Sequence, residues 1–287
     1  MRFGDFELTL INGGNFRLDG GAMHGVVPKT IWSRLVSCDD QNRCEYATNC
    51  LLVENRATGR RILVETGNGD KFSPKEKDIY GIDHDRSTAE NLRALGVDPA
   101  SIDLVLMTHL HFDHAGGTTR RVPGSADRVE PIFSRARHVM QRREWEDATH
   151  PHERNRASYL AENILPLGDA GLVDLVDGQA EVAPGVFVVP TPGHTRGHQS
   201  VRIEDGQGHA VLFLGDVIPT SLHVRLPFIM AYDLDVVGTL ETKRALLRRA
   251  HEERTLLVFG HDTQTRAGYV GLDPKGQWTV TEPVDLV

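Results

Sequence analysis

The sequence predicts an α/β fold. Short apolar runs rich in Val, Ile and Leu recur along the chain, helical stretches with readable starts lie between them, and no long Pro/Ser/Gly linker interrupts the alternation. The runs FELTLI, CLLVE, RILVET, DLVLMT, VFVVPT, SVRIE, AVLFLG and TLLVFG are bounded by Gly, Pro, Asn or Asp and read as strands, several of them buried on both faces. Ser73-Pro74-Lys75-Glu76 and Ser87-Thr88-Ala89-Glu90 are capping boxes that start helices, the second ending at Gly96. From about Asp235 to Arg254, Val236, Leu240, Leu247 and Ala250 share one stripe, with Lys243, Arg244, Arg248 and Arg249 largely outside it; this helix covers a sheet. Residues 134–167 read as helix, loop, helix, broken at His150-Pro151-His152 and without strand signal, which suits a helical lid. The six arginines and four acids between Ser134 and Arg156 read as a solvated helix surface. A single domain over 1–287 is the simplest organisation.

The 287 residues are enough to build a core without disulfides or structural metals, so any metal is free to serve chemistry. A net charge of −8 repels phosphate backbones and anionic lipid and argues against nucleic-acid and membrane partners. The opening MRFGDFELTLING has no cationic segment followed by an apolar run, so a cytoplasmic location is expected. Cys38, Cys44 and Cys50 fit neither a paired disulfide framework nor a CxxC zinc site, and are expected to be reduced and structural.

The chemistry gathers where strands end. The run Asp103 to Thr108 leads into His109-Leu110-His111-Phe112-Asp113-His114. If the chain stays extended through His111, a period of two points His109 and His111 to one side, and a turn at Asp113 returns Asp113 and His114 towards them. His194 in PTPGHT, Asp216 in FLGD and His261 in FGHD likewise follow apolar runs at turns, where α/β sheets collect functional groups. Imidazole and carboxylate without thiolate suit an open site for Zn, Fe, Mn, Co or Ni, zinc first. His198 reads as a support for such a site, and His24, His84, His138, His150, His152, His209 and His251 as surface or core residues, with His223 between the two groups.

THLHFDHAGG, PTPGHT, FLGD and FGHD, in this order and spacing, resemble the ligand motifs of the metallo-β-lactamase superfamily over roughly Thr48 to Asp262. The resemblance implies a four-layer αββα sandwich, two mixed β-sheets flanked by helices. It implies His109, His111 and His194 on one divalent ion, Asp113, His114 and His261 on a second, and Asp216 bridging. Glu65 departs from the Asp that many relatives carry beneath the site. Two such ions would share a hydroxide nucleophile, with Asp113 and Asp216 as the catalytic carboxylates. The 80 residues from His114 to His194 and the stretch GGAMHGVVPKTIW are similar to the methyl parathion hydrolase and lactonase branch. A small ester, lactone or phosphotriester is therefore the expected substrate, and the resemblance implies a homodimer with the segment up to Trp32 in the contact. The N-acyl homoserine lactonases place a tyrosine where this chain has Pro219, so His223 or Tyr232 is the alternative donor; Phe228, with Leu222, Leu226, Ile229 and Met230, lines a substrate pocket or serves the core or a dimer contact. Rival readings on the same fold are a thioesterase of glyoxalase II type and a phosphodiesterase or nuclease, the latter opposed by the acidic balance. Di-iron flavoproteins have Glu in place of His111. A non-catalytic metal-binding scaffold would have no need of a bridging carboxylate.

Overall fold

In the computed structural model, which describes residues 1–82, 86–125 and 128–286, the apolar runs become two mixed sheets. His84 lies outside the described residues. One sheet orders the strands Arg2–Phe3, Phe6–Asp19, Arg43–Asn55, Arg61–Val64, Leu104–Leu106, Arg137–Gln141 and Val173–Val176; the first four pair antiparallel and the rest parallel. The other orders Ala180–Ala183, Val186–Pro190, Gln199–Glu204, Ala210–Phe213, Leu256–Val258, Ala267–Leu272 and Trp278–Val284, with one parallel pair between Ala210–Phe213 and Leu256–Val258.

The apolar runs are continuous because both faces are covered. Leu51, Val53, Ile62, Val64, Leu104 and Leu106 meet Val211, Phe213, Leu256 and Val258 of the opposite sheet in the central core. Their neighbours Cys50, Leu52, Leu63 and Val105 point outwards under Leu92, Ala148 and Ile164 of the first helical layer. Leu212 and Leu257 point outwards under Leu247 and Ala250 of the helix Val236–Glu252. The order helix, sheet, sheet, helix follows from that period of two. Both capping boxes form, at helices Pro74–Ile79 and Thr88–Ala94, and Gly96 adopts φ +78° beyond the second.

Four expectations are corrected. Residues 134–167 are not wholly helical: Arg137–Gln141 is a strand inside the first sheet, followed by helices Arg142–Thr149 and Ala161–Asp169. Its short, basic sequence RHVMQ hides the strand signal. The segment is a solvated surface only in part: Arg135, Arg142, Arg143, Arg154 and Arg156 are exposed, but Glu144 and Asp147 are buried. Lys243 is fully buried rather than outside the apolar stripe, its Nζ donating to Phe228 O (2.6 Å) and Arg225 O (3.2 Å), while Val236 is half exposed. Cys38 and Cys44 are not free thiols but a disulfide, brought face to face by an antiparallel bridge across the turn at Asp39–Arg43; only Cys50 is free, and buried. Among the described residues no helix is long and apolar enough to cross a membrane.

Candidate metal centre

Strands of both sheets end at one edge of the sandwich and deliver the side chains there. His109 stands three residues beyond Leu106, Asp216 three beyond Phe213 and His261 three beyond Val258. His111 is still extended (φ −62°, ψ 157°) and caps a one-turn helix, Phe112–Ala115, which carries Asp113 and His114 back over the edge. Backbone contact holds this turn down: a Cβ on Gly116 would lie 1.9 Å from Asn68 O, and one on Gly69, at φ +70°, 2.2 Å from Gly116 O. No side chain fits at either position.

All seven predicted ligands are brought together, each nearly or fully buried. Potential ligand atoms of His109, His111 and His194 lie within 4.8 Å of one another, and so do those of Asp113, His114 and His261. Asp216 stands between the trios: Oδ2 faces His194 Nε2 (3.3 Å) and His109 Nε2 (3.9 Å), and Oδ1 faces His261 Nε2 (2.9 Å) and His114 Nε2 (3.3 Å). Asp113 Oδ2 is 3.5 Å from His261 Nε2 and 3.7 Å from His114 Nε2.

Further side chains orient these rings. His194 Nδ1 meets Asp233 Oδ1 at 2.8 Å, His261 Nδ1 meets Ala47 O at 2.7 Å, His109 Nδ1 meets Thr108 Oγ1 at 3.0 Å, and His114 Nδ1 lies 3.3 Å from Glu65 Oε2. Glu65 also accepts the Thr108 N–H (2.7 Å), so glutamate keeps the bracing expected of aspartate. His198 accepts the Asp216 N–H through Nε2 (3.0 Å) while Nδ1 turns to Thr191; burial, then His194, lowers its pKa to about 3 and keeps it neutral. Glu144, wholly buried, accepts from Leu110 N–H (3.0 Å), Tyr159 O–H (2.9 Å) and Thr195 O–H (2.6 Å), tying the His109–His111 segment to the His194 loop.

The donor set fits divalent cations. His194 Nε2 and His111 Nδ1 face each other at 3.0 Å, and His261 Nε2 and His114 Nε2 at 3.1 Å, two convergences of imidazole nitrogens on common points. Buried His109 Nε2 and His111 Nε2 have no hydrogen-bond partner among the described residues. Burial and neighbouring imidazoles hold His109 and His111 well below the ordinary histidine pKa. Against its burial, His114 is held well above by Asp113, Asp216 and Glu65, so this pocket attracts positive charge.

The remaining predictions diverge. His223 is buried with both nitrogens engaged, Nδ1 with Thr220 Oγ1 (2.7 Å) and Nε2 with Met23 O (2.9 Å), leaving it no free donor for a substrate. Phe228 and Met230 belong to a core cluster with Phe16, Met23 and Trp32. Pro219 accepts the His261 N–H through its carbonyl. Tyr232 is 38% exposed, and its neighbour is the Asp233 that orients His194. Sequence reasoning missed Asp233, Glu144 and Tyr159; Glu144 sat inside an arginine-rich run, and nothing in AYDLD marks Asp233 as an imidazole partner.

Known proteins resemble this chain in sequence and in fold. The family model of the metallo-beta-lactamase superfamily matches residues 45–261. An N-acyl homoserine lactonase from Bacillus sp is 33% identical over 179 residues, and the match spans 62% of this chain and only 62% of that relative's length. The N-acyl homoserine lactonase AttM of Rhizobium radiobacter is 26% identical over 226 residues, 74% of this chain and 81% of its own. A probable metal-dependent hydrolase from Staphylococcus aureus superposes with a TM-score of 0.88 at 30% identity, covering 99% of this chain and 100% of its own. An N-acyl homoserine lactone hydrolase, solved with the product N-hexanoyl-L-homoserine at its catalytic metal centre, superposes with a TM-score of 0.70 at 26% identity over 92% of this chain and 95% of its own. With its sandwich, its seven gathered candidate ligands and a family match over most of its length, the chain belongs to the metallo-β-lactamase superfamily.

Proposed function

We propose that the chain is a metal-dependent hydrolase that holds two divalent ions, zinc first, and opens a small lactone, with esters and phosphotriesters as lesser substrates. Asp216 carries the reading: its two buried oxygens face opposite trios, an arrangement with a use for two cations. Ions held by His109, His111 and His194 on one side and by Asp113, His114 and His261 on the other, with Asp216 between, would supply hydroxide at neutral pH and polarise the scissile carbonyl. Asp113 is the carboxylate placed to take up a proton and pass it to the leaving oxygen. Thr108, Asp233 and the Ala47 carbonyl hold the rings so that little rearrangement accompanies the reaction.

Tyr232 supplies the hydrogen-bond donor that Pro219 cannot. Burial, then Asp19, Asp113 and Tyr80, push its pKa up to about 12, so the phenol stays protonated at neutral pH. The lactonases among the relatives favour the lactone over the triester. A homodimer is part of the proposal, on the exposed Val26 and Ile31 of the segment up to Trp32.

The test is a substrate panel for the zinc- or manganese-loaded protein: an aliphatic lactone, an aryl ester, a phosphotriester, a phosphodiester and a β-lactam, each with a chelated control. Chelator-sensitive opening of the lactone ahead of all others is the expected result. Preference for the triester would move the chain to phosphotriester hydrolysis, and turnover that survives metal removal would end the reading.

A further inference from the structure

The helix Val236–Glu252 buries a lysine in its apolar face. Lys243 is fully buried, and its Nζ donates to the carbonyls of Phe228 (2.6 Å) and Arg225 (3.2 Å). A buried amine is costly, and Met or Leu would fill the same stripe with Leu247 and Ala250 at less cost. Lysine therefore earns its place through its donors. The two carbonyls of the 225–228 bend converge on one point, where a nitrogen with several hydrogens serves both. Burial lowers the Lys243 pKa to about 7 against the pull of Asp233, and charged or neutral the nitrogen keeps a hydrogen for each carbonyl.

The segment that follows the bend is stitched to the loop of a metal ligand. Asp233 Oδ1 meets His194 Nδ1 at 2.8 Å, the Leu234 N–H donates to His194 O (3.0 Å), and the Asp235 N–H donates to Gly193 O (2.9 Å). The helix holds the other side of that loop as well. One turn before Lys243, Thr239 packs so closely that a Cβ on Gly193 would lie 2.4 Å from its Oγ1, and Thr242 Oγ1 donates to Pro192 O (2.8 Å). Thr239 and Lys243, four residues apart on one face, thus set the His194 loop and the segment that braces it against a single rigid element. Tyr232 lies in that segment, next to Asp233.

We propose that Lys243 is a positioning residue for the reaction: by clamping the 225–228 bend to the helix it holds Asp233 against His194 and Tyr232 at the mouth of the site. The placing of Tyr232 rests on the hydrolase reading above; the bracing of His194 does not.

Lys243→Met keeps the length of the side chain and removes its donors. In the metal-free variant the amides of Ala231, Leu234 and Asp235 should exchange with solvent about ten-fold faster, while those of Ala47 and Asn49, which donate to His261 O and Gly260 O, keep their rates. In stepwise chelator titration of the zinc-loaded variant, the ion on His109, His111 and His194 should be held about ten-fold more weakly and the other ion unchanged. On an aliphatic γ-lactone kcat should fall about ten-fold with KM changed less than about two-fold, because the groups displaced act on the transition state. Unchanged exchange at 231–235 with both ions held as before overturns the proposal, and so does faster exchange shared by Ala47 and Asn49 with equal weakening of both ions, which would make Lys243 a residue of the core. Should Lys243→Met fail to fold, Lys243→Gln, shorter and neutral, is read by the same three measurements, and failure of both to fold also assigns Lys243 to the core. Faster exchange at 231–235 and selective loss of the one ion, in a chain that opens no lactone, would retire the hydrolase reading and keep the bracing role.

Discussion

His109, His111 and His194 are braced chiefly by side chains from remote parts of the chain, whereas Asp113, His114 and His261 lean on strands of the first sheet. Glu144 and Tyr159 come from the segment between residues 137 and 169, and Asp233 from the loop before the Val236–Glu252 helix. On the other side, His261 is held by a backbone carbonyl, Ala47 O, within the strand Arg43–Asn55, and His114 by Glu65 at the end of Arg61–Val64. A backbone brace survives most substitutions; a carboxylate brace depends on one residue. His261 therefore has a brace that substitution does not remove, whereas His109, His194 and His114 depend on the side chains of Thr108, Asp233 and Glu65.

Asp216→Asn attacks the comparison at its centre, because one residue serves both trios. Turnover should fall by about two to three orders of magnitude and bound metal from two ions towards one, read by metal analysis and steady-state kinetics. Retention of both ions with near-normal turnover would deny the bridging role. Glu144→Gln separates the halves: the ion on the first trio should be held about 10–100-fold more weakly and the other unchanged, measured by stepwise chelator titration. Equal weakening of both ions would erase the distinction.

Glu65→Asp probes the second trio. One methylene shorter, the carboxylate cannot span Thr108 N–H at 2.7 Å and His114 Nδ1 at 3.3 Å together, and the second ion should be held about ten-fold more weakly. Undiminished affinity in the same titration would show that glutamate is not needed here. Aspartate tolerates the local backbone, at φ +66°, at least as well as glutamate, so backbone strain would not explain a loss.

The smallest effect concerns acid. His138 lies on the strand that leads into the helix of Glu144, and burial lowers its pKa to about 4. Between pH 6.5 and 4 the unfolded chain binds a proton there that the folded chain does not, so stability falls as pH falls. His138→Leu should flatten the dependence of melting temperature on pH in that window, by at most about 1.4 kcal/mol per pH unit. An unaltered slope would place the acid sensitivity elsewhere.

The same contrast explains how much of the molecule was legible in the sequence. Strands buried on both faces show themselves as apolar runs, and the candidate ligands follow those runs at short distances, so the α/β alternation and the seven gathered residues could be read from runs such as FELTLI with THLHFDH, PTPGHT, FLGD and FGHD, and the sandwich from the family resemblance those motifs carry. Arg137–Gln141 could not, because its charged first residue and a histidine break the run. Glu144 could not, because its partners Leu110 and Thr195 lie 34 and 51 residues away, and only tertiary structure makes them neighbours. His223 illustrates the opposite error: the residue type suits a donor, but Thr220 and Met23 already occupy both nitrogens. Lys243 looked solvent-facing by period alone, and the carbonyls of residues 225 and 228 draw it inward.

The contact between Gly116 and the Asn68–Gly69 backbone separates what can evolve from what cannot. With main chain against main chain, the turn that carries Asp113 and His114 offers no side chain there through which its position could drift by small substitutions. Laboratory selection for new substrates should therefore leave the 67–69 and 115–117 turns untouched and accumulate changes elsewhere. The fold keeps the chemistry as an inherited constant and exposes selectivity as the variable.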